Sequence, residues 1–326
     1  MNQFRAPQHG SLRSPAIFGT GLTMGLALGV VRAVALEPAG GDGTFAPGFE
    51  CVVEIDPDES YVARPWLGGW VPFQFADDIN ATERAHMKAG MDWWTLETGV
   101  KFVYRNGEPD FLTITRSTDP GVSYSSGIGR VGGEQEIRMS DNGWANHGRV
   151  AHELCHALGW HHEQSRPDRD DFVTIEDDNI IPEYLRQFNI YEGDLTFGYT
   201  YDYDSIMHYS ACSFSVCSKC KSSNPDCRSI TTDDPDVQSE IGQRDHLSDG
   251  DLRDVRYVYG SRGSRYVAPG GEGEGTLSAP FGDIHEALDA IPEGGAVLLE
   301  SGIYAQETTF SKSSQWITHG GSSLIE

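Results

Sequence analysis

The sequence predicts an α+β fold on three observations. Strand-like segments cluster ahead of the best-defined helix, without the regular strand–helix alternation that a parallel α/β sheet imposes. The composition is that of a chain with a real core: 38% of its 326 residues are hydrophobic, and with the 38 Gly added the apolar share approaches half. Six cysteines in this length are too few for a disulfide scaffold to replace that core.

The elements follow in chain order. Residues 1–35 carry Arg5, Arg13 and Arg32 and no acid, and residues 16–31 are uncharged and mostly apolar. Ala33 and Ala35 place small residues two apart, so 1–35 reads as a signal peptide cleaved near Ala35. An uncleaved anchor is the alternative, but the apolar stretch at ~1.5 Å per residue falls short of a ~30 Å hydrocarbon core. The expectation is a secreted, extracellular protein with no stable membrane association after signal cleavage. Residues 36–57 read as a pro-segment or linker, within a stretch to Ala63 that is rich in Gly, Pro and acids and lacks Lys and Arg. Asn80 and Glu83 form a capping pair for a helix on which Met87, Met91 and Trp94 lie near helical spacing. Residues 101–105 and 111–116 read as strands, and 136–139 as a short alternating one. A helix is expected from about Asn146 to Leu158, and another after Ser248 and Asp251, ahead of Leu252, Val255 and Val258. At residues 260–264 the composition turns to a linker. Beyond it Ile284, Ala287, Leu288 and Ile291 mark a helix, 294–299 a strand, and 302–304 a turn and short strand.

Charge narrows the partners. Lys and Arg number 24 against 49 Asp and Glu, a net charge of −25. That excludes a nucleic-acid groove, which needs a basic patch, and disfavours anionic membranes. A solvated acidic surface accounts for it; the oligomeric state is left open.

The chemistry concentrates in residues 151–163. His152 and His156 are four apart, so on a helix they differ by ~40° in direction and ~6 Å in height. Two imidazoles on one face can share one Zn²⁺ at ~2.0–2.1 Å. Glu153 points about a quarter-turn away, able to reach a water on the metal without being a ligand. Gly159 permits the positive φ that ends a helix, which lets His162 close a three-histidine set with one position open. Bound zinc lowers the pKa of water to about 7 and polarises a carbonyl, and Glu153 is the general base. One Zn²⁺ per chain is the expected cofactor. Cys155 reads as a buried small hydrophobe or disulfide partner rather than a further ligand.

Residues 152–162 fit H-E-x-x-H-x-x-G-x-x-H, and through them the chain resembles the metzincin metallopeptidases. Within these it is similar to the astacin family: Glu163 follows the third histidine, Arg166, Asp168, Arg169, Asp170 and Val173 continue the family's run, residues 205–209 look like its Met-turn, and 66–75 like the start of its catalytic domain. The resemblance spans about residues 58–260. It implies a zincin-like, two-lobed catalytic domain with an active-site helix, and a secreted zinc endopeptidase acting on protein or peptide substrates. By the same resemblance His152, His156 and His162 are zinc ligands and Glu153 the base. Met207 lies under the metal, and Tyr209 both binds zinc in the resting enzyme and stabilises the oxyanion. His161 and His208 lie off the required spacing and read as structural or exposed, and the charges at 166–170 as a solvated or salt-bridged loop. The strand at 136–139 is implied as the edge on which substrate pairs.

Several features depart from the family. Gly99 and Trp144 stand where two of its cysteines would. Cys212, Cys217, Cys220 and Cys227 crowd together instead, reading as local disulfides or, for Cys217 and Cys220, half a zinc knuckle, and the six cysteines allow fifteen pairings. Astacin-like enzymes are held latent by a pro-segment acid in an F-x-G-D pattern, which residues 36–63 lack. The nearest latch candidates are Asp42 and Cys51, with a disulfide the alternative for Cys51; removal of the segment must be non-tryptic, giving a new N-terminus between about Asp56 and Ala63. Residues 261–326 read as linker and a partial module resembling the cap and first coil of a pectate-lyase-like parallel β-helix. Competing functions are a secreted carbohydrate-directed protein and a protease-like binding protein without turnover.

Overall fold

The structure is a computed structural model that describes residues 50–53, 64–119, 121–191, 199–261, 263–304 and 314–325. The expected signal peptide, Asp42 and most of the expected pro-segment lie outside the described residues. No helix among the described residues is long and apolar enough to cross a membrane.

Six strands make one mixed sheet: β1 (Glu50–Val53), β2 (Trp70–Phe75), β3 (Lys101–Tyr104), β4 (Phe111–Arg116), β5 (Val122–Ser125) and β6 (Glu134–Met139), in the order β1-β5-β6-β4-β2-β3. Every neighbouring pair is parallel except β5 with β6. The expected edge at 136–139 is corrected here: β6 lies inside the sheet between β4 and β5, and the β5 side carries β1, which pairs residues 50–53 with 122–125. Strand order is set by long-range pairing, which a local pattern does not encode.

Two helices pack against the sheet and each other. α1 (Ala81–Glu97) begins at the Asn80–Glu83 capping box and buries Met87, Met91 and Trp94, the stripe its spacing predicts. A short turn of helix, α2 (Asp141–Trp144), precedes α3 (His147–Leu158), which Asn146 caps by accepting from the Gly148 and Arg149 amides. Gly90 is where α1 and α3 meet, since a Cβ there would run into Val150. Trp94 Nε1 donates to the Ala151 carbonyl at 3.0 Å, tying the helices together. The core between them and the sheet includes Val71, Phe73, Phe102, Leu112, Ile114, Ile137, Leu154 and Leu158.

A second apolar cluster forms from residues that mostly follow α3 in the chain. There β7 (Val173–Ile175) and β8 (Ile230–Thr232) pair antiparallel, and Ile180, Phe188, Tyr201, Tyr209, Phe214 and Ile241 pack around them. Disulfides Cys212–Cys220 and Cys217–Cys227 staple this part, so the crowded cysteines pair locally rather than as a knuckle. Gly99 sits where a Cβ would run into the Tyr259 carbonyl. α4 (Asp249–Tyr259) starts at the Ser248–Asp251 box. The chain continues through β9 (Ser264–Val267), α5 (Ile284–Ala290), β10 (Ala296–Tyr304) and β11 (Gln315–Ile325), with the three strands parallel in the order β11-β10-β9. The turn expected at 302–304 belongs to β10, which runs through a register irregularity between Glu300 and Gly302.

Candidate metal centre

α3 carries the first half of the site as helical geometry requires. His152, Glu153 and His156 are all fully buried on it. The helix stops at Gly159, whose φ of 128° places its amide against the Cys155 and His156 carbonyls and turns the chain back. That return brings His162 to the pair, with its Nε2 3.1 Å from His156 Nε2.

Each imidazole on the helix is oriented by a backbone carbonyl. His152 Nδ1 lies 2.7 Å from the Ile206 carbonyl and His156 Nδ1 2.7 Å from that of Trp160. A carbonyl only accepts, so the proton sits on Nδ1 and the Nε2 lone pair faces the cluster. Burial pushes all three imidazole pKa values down, that of His156 to about 3, with the Arg244 charge adding to the shift. The rings are therefore neutral donors at neutral pH, the form a metal needs.

The fourth donor comes from β1. Cys51 Sγ lies 3.3 Å from His156 Nε2, and one ligand atom from each of Cys51, His152, His156 and His162 falls within 4.8 Å of the others. Two nitrogens on one tetrahedral zinc ion stand about 3.3 Å apart, and a nitrogen and a thiolate about 3.6 Å. The closest separations match that set, so the residues present fit zinc. Beside them Glu153 accepts from the Cys51 thiol at 3.4 Å through Oε2, while its Oε1 is buried with no hydrogen-bond partner among the described residues. Desolvation raises the Glu153 pKa to about 8, against the lowering effect of the Cys51 contact.

A turn at 205–209 closes the site from below. Ser205 Oγ and the Ile206 amide donate to the two oxygens of Asp251, at 2.7 and 2.9 Å, which fixes the loop whose Ile206 carbonyl holds His152. Met207 is buried in the main core. Tyr209 stacks against His162 with ring centroids 4.2 Å apart, and its amide donates to Gln164 Oε1 at 2.9 Å. Its hydroxyl, expected among the metal ligands, donates to the Cys51 carbonyl at 2.5 Å.

The histidines set aside on spacing are both buried rather than exposed. His161 stacks on Tyr191, and His208 meets the Tyr201 hydroxyl at 2.7 Å. Arg166 joins Glu163 and Asp168 at 2.9 and 2.8 Å, the salt-bridged form of that loop. Sequence reasoning missed Gln164 and the positioning role of Asp251. The Ser248–Asp251 cap was a visible signal, but its second task depends on a loop some 45 residues away.

Residues 58–260 match the profile of the peptidase family described as Astacin. Embryonic protein UVS.2 of Xenopus laevis is 39% identical over 189 residues, 58% of this chain and 34% of that protein. Zinc metalloproteinase nas-14 of Caenorhabditis elegans is 34% identical over 203 residues, 61% of this chain and 38% of that protein. The chain thus spans little more than a third of the length of these curated relatives. Among solved structures, high choriolytic enzyme 1, a hatching enzyme zinc-protease from Oryzias latipes, superimposes with a TM-score of 0.54 at 32% identity, covering 66% of this chain and 100% of that one. The likeness supports the mixed α+β fold.

Proposed function

The chain belongs to the astacin family, and from that membership and the centre just described we propose that it is a secreted zinc endopeptidase that cleaves protein or peptide substrates. The observation that carries the reading is three neutral imidazoles, two of them oriented by carbonyls, converging beside a buried carboxylate with an unpaired oxygen. His152, His156 and His162 hold one zinc per chain, and Tyr209 joins them in the resting, processed enzyme. The disulfides at 212–227 agree with an oxidising, extracellular destination. In this reading 1–35 is the signal peptide, 36–57 the pro-segment and 58–260 the peptidase domain. Residues 261–326 follow that domain with three strands, β9, β10 and β11, paired in parallel.

When bound, zinc acidifies water and polarises the scissile carbonyl. Glu153 takes the proton of the attacking water and returns it to the leaving amine. The Tyr209 hydroxyl donates to the oxygen on which negative charge develops. The carbonyls of Ile206 and Trp160 keep the His152 and His156 imidazoles in one tautomer throughout.

Metal analysis and a casein cleavage assay test the proposal together. One zinc per chain is expected, with activity in the processed protein lost to chelator and restored by added zinc. A processed chain that cleaves casein without metal, or that binds no zinc, overturns it.

A further inference from the structure

We propose that His86 and His147 form a second, exchangeable transition-metal site, a two-imidazole clamp across helices α1 and α3 and separate from the central histidine set. His86 Nδ1 and His147 Nε2 lie 3.2 Å apart, with ring centroids 5.3 Å apart and ring planes at 52°. That separation matches the ~3.3 Å between two nitrogens on one tetrahedral zinc ion. Both rings are half-buried, and His86 also lines a cleft of about 570 Å³ with Asn80, Thr82, Glu83 and Asp141. An ion can therefore reach the pair from solvent. Among the described residues neither ring has another hydrogen-bond partner.

The backbone holds the pair in place. His86 stands one turn before Gly90, where α1 meets Val150 of α3, and His147 stands about one turn before Val150 on the other helix. Metal binding therefore asks the rings to adjust, not the helices. In a pair of neutral imidazoles, one ring donates an N–H to the other. When the donating ring carries its proton on the outer nitrogen instead, both facing nitrogens present lone pairs. A divalent ion then takes the place of the shared proton, with no net proton released. Burial and the neighbouring His86 lower the His147 pKa, which favours the neutral form that ligation needs. The chain supplies only two ligands. Glu83 is spent on the Asn80 amide and Arg116, at 2.9 and 2.6 Å, and the one group of three or more close metal-capable donors among the described residues is the central set. Water completes the shell. The site thus takes zinc or another divalent ion that suits imidazole, and holds it more weakly than the three-histidine centre. Once bound, the ion ties α1 to the helix that bears His152, Glu153 and His156.

Zinc analysis of the full chain, dialysed at rising free zinc, tests the site on wild type, His86→Gln and His147→Gln. Wild type should bind a second equivalent after the first, and its melting temperature should rise as that equivalent binds. Each variant should keep the first equivalent and lose the second, weakened by roughly 10² or more, because one of two linked donors is gone. Copper added to the one-zinc wild type reads the same ligands without any substitution, which covers a variant that fails to fold. Its electron paramagnetic resonance spectrum should show nitrogen coupling from two imidazoles, against three for copper that has displaced the central zinc. A single zinc indifferent to both substitutions, a second equivalent that survives in either variant, or a copper spectrum without a two-imidazole species overturns the pair. A single zinc that either substitution removes would keep the pair and overturn the three-histidine reading. A chain that binds no zinc overturns both.

Discussion

His156 shows how much of the site is decided at a single side chain. Its Nδ1 faces the Trp160 carbonyl, its Nε2 faces His162 and Cys51, and burial keeps it neutral. Glu153, one position from the first ligand, keeps one carboxylate oxygen without a hydrogen-bond partner among the described residues. Glu153→Gln preserves its volume and removes its basicity, so the processed variant should hold one zinc and lose nearly all peptidase activity. Near-normal turnover at full zinc occupancy would remove Glu153 from the reaction. Tyr209 is tested by Tyr209→Phe, which keeps the ring against His162, Phe188 and Phe214 and deletes only the hydroxyl. One lost oxyanion donor costs roughly 10²–10³ in kcat. The processed variant should show that fall with KM and melting temperature little changed; an unaltered kcat would leave Tyr209 as packing alone.

The turn at 205–209 and helix α4 act as one unit through Asp251. Its carboxyl accepts from Ser205 Oγ and the amides of Ile206 and Ser248, and burial raises its pKa to about 6. The three accepted bonds, about 1 kcal/mol each, favour the ionised form, and burial, the larger effect, favours the neutral one. An acid whose pKa rises on folding contributes most below its unfolded value, 3.8, and loses that contribution as pH climbs through about 6. In urea titrations the stability gap between wild type and Asp251→Ala should therefore narrow from pH 4 to pH 7; a gap that widens would contradict the assigned direction. Zinc affinity should fall at every pH, because the Ile206 carbonyl that orients His152 hangs from the same carboxyl. Elements of this kind were legible in part. The caps at Asn80 and Ser248, the helix start near Asn146 and the spacing of His152, His156 and His162 are local, and the structure begins each helix there. Strands β5, β7 and β8 are three or four residues long, and pairing partners far along the chain give them their identity. The same limit hid the carbonyls that orient the imidazoles, while the edge expected at 136–139 came from the family resemblance and not from a local pattern.

Across the whole molecule, the composition shift at 260–264 reads as a linker, yet the segment beyond it shares the core of the peptidase-like part. Tyr266, Leu277, Ala296 and Leu298 lie in the same apolar cluster as Phe102, Met91 and Trp94. The Tyr266 hydroxyl donates to the Phe102 carbonyl at 3.0 Å. Asp92, buried on α1, accepts from the Leu277 and Ser278 amides and the Ser278 hydroxyl at 2.7, 3.2 and 2.6 Å. Burial raises the Asp92 pKa, so the carboxyl is costly to keep ionised and is tolerated only while those donors stay docked. A glycine- and serine-rich junction reports local chain freedom and says nothing of what docks after it, which is why composition alone separates these parts. If they share one core, they unfold together. Tyr266 is 1% exposed, and truncating a buried aromatic costs about 3–5 kcal/mol. Tyr266→Ala should therefore lower the stability of the entire described unit by that amount in one transition. Near-ultraviolet circular dichroism and hydrogen exchange of α1 amides should shift to lower denaturant together with exchange at β10. Two separate transitions, with α1 protection unchanged, would show that the C-terminal strands only lean on the domain and that the core is not shared in energy.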